Sequence, residues 1–144
     1  MPPLPYTEIS RSRVSRGTNV NGSSTTIPAK RFVGYGTPSA TTEHPIDLLS
    51  VTGAAKIKGL TQKAIAAGET GDVYTEGVLP AESDGSATIA AGDWLTVDAA
   101  TGRVKTAAPA AGVNAQIVGK AVTAAAATAG AIVQCELRLS VMQG

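Results

Sequence analysis

The sequence predicts an all-β (mainly β) protein: a small β-barrel or β-sandwich body of about six or more short strands with at most one short helix, preceded by an extended N-terminal arm. Three observations carry that prediction. Between residues 56 and 141 the chain runs through six short apolar segments, 56–65, 73–79, 94–97, 103–107, 116–122 and 132–141, separated by Gly, Asp and Pro. The last of them alternates strictly, with Val133, Cys135, Leu137, Leu139 and Val141 on one face and Gln134, Glu136, Arg138 and Ser140 on the other. That is the period of a strand with one buried and one wet face. Residues 1–45 are written in another style, in Pro, Ser, Thr, Asn and Arg, and divide the chain into an arm with its linker (1–45) and a β-rich body (46–144).

Taken in order, residues 1–6 contain Pro2, Pro3 and Pro5, which fix φ and remove backbone donors, so this piece is extended. Residues 7–26 carry polar residues and interspersed Arg with almost no apolar periodicity, a composition expected to stay disordered in isolation. Residues 31–35 read as one short strand between Pro28 and Pro38, and flanking prolines suit an edge or docking strand. Residues 46–51 are either a strand or a single helical turn, and we read them as strand. In the body, Asp98-Ala-Ala-Thr-Gly102 supplies a hairpin whose Gly can take a positive φ. Ile65-Ala-Ala-Gly-Glu69 and Ile89-Ala-Ala-Gly-Asp93 share a pattern, but two copies do not make a solenoid and we read them as reused turn chemistry. The Ala run at 124–127 is one short helix or a tight Ala-rich loop.

Aromatics are only 3% of residues, so a single copy has few large side chains to bury. At roughly 25 cal/mol per Å² of apolar surface, such a body gains much of its stability by packing against its own copies or another surface. The net charge of +1 is unevenly placed: residues 1–36 carry Arg11, Arg13, Arg16, Lys30 and Arg31 against Glu8, a balance of +4, leaving −3 on the rest. A basic arm suits an acidic protein surface on which it orders. Three arginines without interleaved aromatics give modest counterion release, so nucleic acid is not expected as a partner. One cysteine excludes an intrachain disulfide and is compatible with a reducing compartment. No secretion signal is visible and no apolar run approaches the ~20 residues that span a bilayer, so a soluble protein without a membrane partner is expected.

Chemistry is sparse. His44 and Cys135 are the only imidazole and thiol and lie far apart, so neither a zinc site nor a nucleophile with its base is expected. Glu69, Asp72, Glu76, Glu82, Asp84, Asp93 and Asp98 sit mostly beside Gly, where carboxylates serve turns and wet surface rather than a glycosidase pair. Ser83-Asp84-Gly85-Ser86 falls short of a calcium loop, and Gly34-Tyr-Gly36 lacks the Lys-Ser/Thr of a phosphate-cradling loop. No catalytic, metal or cofactor residues are expected. Cys135 reads as a small buried hydrophobe, and Trp94 with Leu95 as either core or oligomer interface.

In the order and spacing of its Gly-punctuated strands, the stretch 56–141 resembles the small capsid decoration (cement) proteins of tailed bacteriophages. The likeness is carried by Ile65-Ala-Ala-Gly-Glu-Thr-Gly-Asp-Val-Tyr-Thr-Glu-Gly-Val78, Ile89-Ala-Ala-Gly-Asp-Trp-Leu-Thr-Val-Asp-Ala-Ala-Thr-Gly-Arg-Val104 and Gln116-Ile-Val-Gly-Lys-Ala-Val-Thr-Ala-Ala-Ala-Ala127. The resemblance implies a structural virion protein, not an enzyme, made in the host cytoplasm and trimeric on the outer surface of the phage head. There it would bridge major capsid protein subunits and stabilise the DNA-filled shell, without cofactor, small-molecule substrate, nucleic-acid or membrane partner. The front segment is outside the resemblance. From its charge and extension we expect Pro3, Pro5, Tyr6, Arg11, Arg13, Arg16, Arg31, Phe32 and Tyr35 to contact the capsid, with the body making the trimer. The competing readings are a virion-surface glycan- or host-binding module using loop carboxylates and Trp94, and a hydrolase acting through an acid pair.

Overall fold

A computed structural model describes residues 13–39, 42 and 44–143. The described strands are β1 (Arg13–Asn21), β2 (Phe32–Tyr35), β3 (Pro45–Leu48), β4 (Ile57–Leu60), β5 (Thr70–Glu82), β6 (Trp94–Val97), β7 (Val104–Thr106), β8 (Asn114–Ala121) and β9 (Ile132–Gln143). One helical turn, α1 (Leu49–Thr52), and a 3-10 turn, Ala54–Lys56, separate β3 from β4. The fold is therefore mainly β with one short helix, as the sequence predicts. Residues 46–51 are both of the things considered for them: β3 ends at Leu48 and α1 begins at Leu49.

The strand order is β1-β3-β2-β4-β5-β9-β8-β6-β7, and β1 also pairs with β5. The first five strands thus close into a barrel, with β1 and β3 parallel and the other pairs antiparallel. From β5 the sheet continues through β9, β8 and β6 to β7. Ser83, just past β5, bridges Val104 of β7 in parallel and brings this second set back on itself. β5 is common to both rings: residues 70–76 face β1, residues 77–82 face β9, and the partner changes at Gly77, whose φ is 119°.

The arm expected over residues 1–45 is partly a piece of this barrel. β1 and β2 belong to it, and the expected boundary between residues 45 and 46 falls inside β3. β1 holds residues expected to be disordered in isolation because the barrel supplies the hydrogen-bond partners that the segment itself lacks. β2 is not an edge strand: it lies between β3 and β4, and Pro28 and Pro38 fall outside it. Its successive residues Phe32 and Val33 are both buried because the strand separates two cores. Val33 joins Ile27, Ile46, Ile65 and Val73 inside the first barrel. Phe32 joins Leu49, Ile57 and Leu60 with the second-ring residues Leu95, Val104, Val118, Val133 and Cys135.

The shared pattern at Ile65 and Ile89 is the same turn ahead of a strand, with Glu69 N donating to Ala66 O before β5 and Asp93 N to Ala90 O before β6. Separately, the two rings repeat one another at a displacement of about sixty residues. Asn21 N donates to Glu69 O and Gly68 N to Asn21 O; Ser83 N donates to Ala131 O and Gly130 N to Ser83 O. Ile27 and Ile65 exchange both backbone hydrogen bonds, as do Ile89 and Ala125. Lys30 N donates to Thr61 O, and Gly92 N to Ala121 O. The Ala run at 124–127 is thus a loop, carrying the Ala125 bridge to Ile89.

The repeat exposes a strained residue. Among the described residues Lys30 is the one non-glycine with a positive φ, 57°, and its counterpart is Gly92 at 91°. The left-handed conformation costs an L-residue roughly 1–2 kcal/mol, part of which glycine's greater unfolded entropy offsets. Lys30→Gly is therefore expected to raise stability by about 0.5–1 kcal/mol in urea unfolding, and a loss of stability would contradict the assignment.

A half-buried ionic cluster ties the rings together. Glu82 Oε2 accepts from Arg31 Nε at 3.0 Å and Arg103 Nε at 3.2 Å, while Arg31 Nη1 donates to Thr101 O at 2.9 Å. Phe32 N donates to Gly102 O at 2.9 Å beside it. Glu82→Ala leaves two partly desolvated guanidiniums without their carboxylate and is expected to cost about 2 kcal/mol, read as a lowered urea midpoint.

Candidate functional site

The second ring places a row of side chains on its outer surface. Trp94 of β6 is opposite Lys120 of β8, Lys120 opposite Glu136 of β9, and Glu136 opposite Val78 of β5. Strand alternation sends the neighbours of these residues inward: Leu95, Ala121, Cys135 and Leu137 are all buried. Trp94 is 39% exposed and Val78 40% exposed, with Val122 also exposed nearby in sequence to Lys120. The Lys120 ammonium lies 4.4 Å from the Trp94 ring centroid. At that distance the cation holds the indole in place, worth roughly 0.5–1 kcal/mol at an exposed site. Lys120 and then Glu136 follow the aromatic along the row, so the patch can bury an apolar ring and form ion pairs at once.

Leu95 is fully buried in the core, whereas Trp94 faces outward. The row was missed in the sequence although each polar member occupies the outward phase of its strand. Its members come from four strands whose order is not the chain order, so no local spacing joins them.

The capsid-contact residues expected from the sequence fall into different settings. Pro3, Pro5, Tyr6 and Arg11 lie outside the described residues. Arg13 and Arg16 are in β1, whose backbone pairs with β5. Arg31 is committed to Glu82 and Thr101 within the chain. Phe32 is 1% exposed and packs the core between the rings, so it presents no surface to a partner. Tyr35 is 58% exposed at the end of β2. Lys58 Nζ stands 5.6 Å from its ring centroid and donates to Asn19 Oδ1, and burial holds the Lys58 ammonium below the usual lysine range.

Cys135 is fully buried between Val133 and Leu137, and burial together with the Glu136 carboxylate pushes its thiol up to about 12 from 9.0. It is a core residue, and its counterpart in the first ring is Val73, also fully buried. The folded chain keeps the proton while the unfolded chain releases it near pH 9, so stability is fully present below about pH 9 and falls between about pH 9 and 12. Near pH 10.5 the loss is expected to be about 2 kcal/mol, and Cys135→Val should remove that part of the alkaline destabilisation. Urea unfolding of both chains at pH 8 and pH 10.5 checks it; identical pH slopes would refute it.

His44 is exposed, and among the described residues no three of His, Cys, Asp and Glu gather as a metal site. The acid side chains Asp84, Asp93 and Asp98 serve their own turns: Asp84 Oδ1 accepts from Ser86 N, Asp93 Oδ2 from Ala90 N, and Asp98 Oδ2 from Thr101 Oγ1. These bonds hold loop backbone in place and leave what the fold presents outward as sheet faces and turns.

No curated protein sequence matches the chain. Among solved structures, the crystal structure of the head fiber gp8.5 N base of bacteriophage phi29 is similar, with 15% identity over 91% of this chain and 98% of that one and a TM-score of 0.47. A family profile described as phage cement protein matches residues 14–139. That match runs from β1 into β9, nearly the whole described structure, and the chain belongs to the phage cement protein family.

Proposed function

We propose that this protein binds the outer surface of a phage capsid as an oligomer, a homotrimer, and bridges neighbouring major capsid protein subunits so that the DNA-filled head resists outward pressure. The observation that carries the reading is the family match over residues 14–139. The fold supports it, since two rings tied together by Glu82 make a closed β body with exposed sheet faces free to meet a partner. A clamp against pressure needs stiffness and adhesion and no reaction.

In this reading residues 1–12, with Arg13, Arg16 and Tyr35, meet the shell, and the Trp94–Lys120 patch serves contacts within the oligomer. Many copies on one lattice, each with a modest interface, gain by avidity what a single contact lacks. Purified protein mixed with undecorated expanded heads of the cognate phage should co-sediment saturably and raise the temperature at which the heads release DNA. Heads that neither bind the protein nor gain heat resistance would overturn the reading.

A further inference from the structure

The repeat within the chain shows how one ring receives the next. Past its own barrel β5 runs on into residues 77–82, which take the first part of β9 as an antiparallel partner from Gly77 opposite Leu137 to Glu82 opposite Ile132. Displaced by the same interval, the matching stretch of the second ring is the end of β9, residues 139–143. One edge of that stretch is paired with β8 as far as Asn114 opposite Gln143. On the other edge the pairing with β5 stops at Leu137, because β5 leaves at Gly77 for the first barrel. Among the described residues no strand takes up the edge beyond that point.

Two large apolar side chains stand exposed there. The β8–β9 register shifts by one residue between Leu137 and Ser140, which turns Leu139 and Val141 away from the face of buried Val133, Cys135 and Leu137 and leaves them 36% and 62% exposed. The residue matching Val141 in the first ring is Leu79, which packs against the core once β9 covers it. An open edge with apolar side chains is a template for another strand. We propose that the ribbon formed by residues 114–117 of β8 and 138–143 of β9 is where a second copy of this chain docks, adding a strand to the free β9 edge and covering Leu139 and Val141. A second copy is the occupant because the strand type that fills this joint inside the molecule is the chain's own, and the new contact continues the joint between its rings. The inference rests on the oligomeric reading above and adds to the Trp94–Lys120 patch a second contact surface of that oligomer.

The test compares full-length protein with the double variant Leu139→Glu, Val141→Glu by sedimentation velocity and light scattering. Val51→Glu, at a 70% exposed position of α1, serves as the control. The wild type and the control should assemble, and the double variant should keep its far-ultraviolet spectrum while associating at least about tenfold more weakly. A second measurement does not depend on disrupting the surface: Val141→Cys carrying a benzophenone maleimide should cross-link to a species of twice the chain mass on illumination, whereas wild-type Cys135 is buried and remains unlabelled. A double variant that assembles like the wild type, a wild type that stays monomeric, or a Val141→Cys chain that gives no cross-link would each overturn the proposal. Head co-sedimentation run in parallel separates the two readings, because an assembling double variant that still binds heads removes only the assignment of this surface.

Discussion

A chain beginning at Lys30 will fail to reach the native state, whereas a chain beginning at Arg13 will fold like the full-length protein and show only weakened binding to phage heads. The difference is β1, Arg13–Asn21, which closes the first barrel by pairing with β3 on one side and β5 on the other. Its C-terminal end is pinned by two fully buried amides. Asn19 Nδ2 donates to Gly71 O at 3.3 Å, and Asn21 Nδ2 donates to Ile65 O at 2.8 Å and Thr25 O at 2.9 Å. Removing the strand opens the edges of β3 and β5, uncovers the Val33 and Val73 core and strips partners from buried carbonyls, each at roughly 1–3 kcal/mol. Against a typical total stability of about 5–15 kcal/mol, the sum is enough to unfold the first ring. Circular dichroism, thermal unfolding and soluble yield decide the folding claim, and a cooperative, native-like Lys30 chain would refute it. Co-sedimentation of the Arg13 chain then reads the contribution of residues 1–12 by itself, and undiminished binding would remove them from the capsid interface.

Gly119→Ala is expected to cost about 3 kcal/mol, the upper part of the range for overpacking. A Cβ at Gly119 would stand 2.1 Å from Glu136 O and 2.9 Å from Cys135 Sγ, and the first of these is backbone that cannot swing aside. β8 and β9 would have to separate at the point where their register shifts between Ile117 and Gly119. The repeat supplies an independent check. Gly59 occupies the matching place in β4, where a Cβ would meet Tyr74 O at 2.3 Å and Val73 Cγ1 at 2.6 Å. Gly59→Ala should therefore destabilise to a similar degree. Gly112→Ala, with nothing within 4 Å of the new Cβ and only a φ of 76° against it, should cost about 1 kcal/mol. Urea midpoints for the three variants test the ranking, and equal effects at all three would show that steric approach between strands is not the cause.

The parts of the fold legible in the sequence are those governed by near neighbours. The alternation in 132–141 specified β9 and its buried face as far as Leu137, beyond which a register shift leaves Leu139 and Val141 exposed, and the apolar piece Trp94–Val97 coincides with β6. Asp98 to Gly102 closes as the expected turn, with Gly102 N donating to Asp98 O at 2.8 Å and a Gly102 φ of 71°. Cys135 lies in the core, as its phase in β9 requires. The two-ring repeat was nearly invisible because it is conserved as backbone hydrogen bonding: Lys30 stands where Gly92 does and Ile65 where Ala125 does, so few side chains match. The capsid-contact candidates Arg31 and Phe32 were legible as a basic and an aromatic residue, but not as partners of Glu82 and of a core.

By itself the sequence determined the β class, the body strands, most of the turns and the family resemblance, because strand period and turn chemistry act over a few residues along the chain. Only the tertiary structure decided that β1 completes a barrel, that Trp94 faces outward while Leu95 is buried, and that Phe32 is enclosed on what would otherwise be an outer face. Each of those depends on which distant strand lies alongside, and strand pairing is made by backbone groups that every residue carries alike.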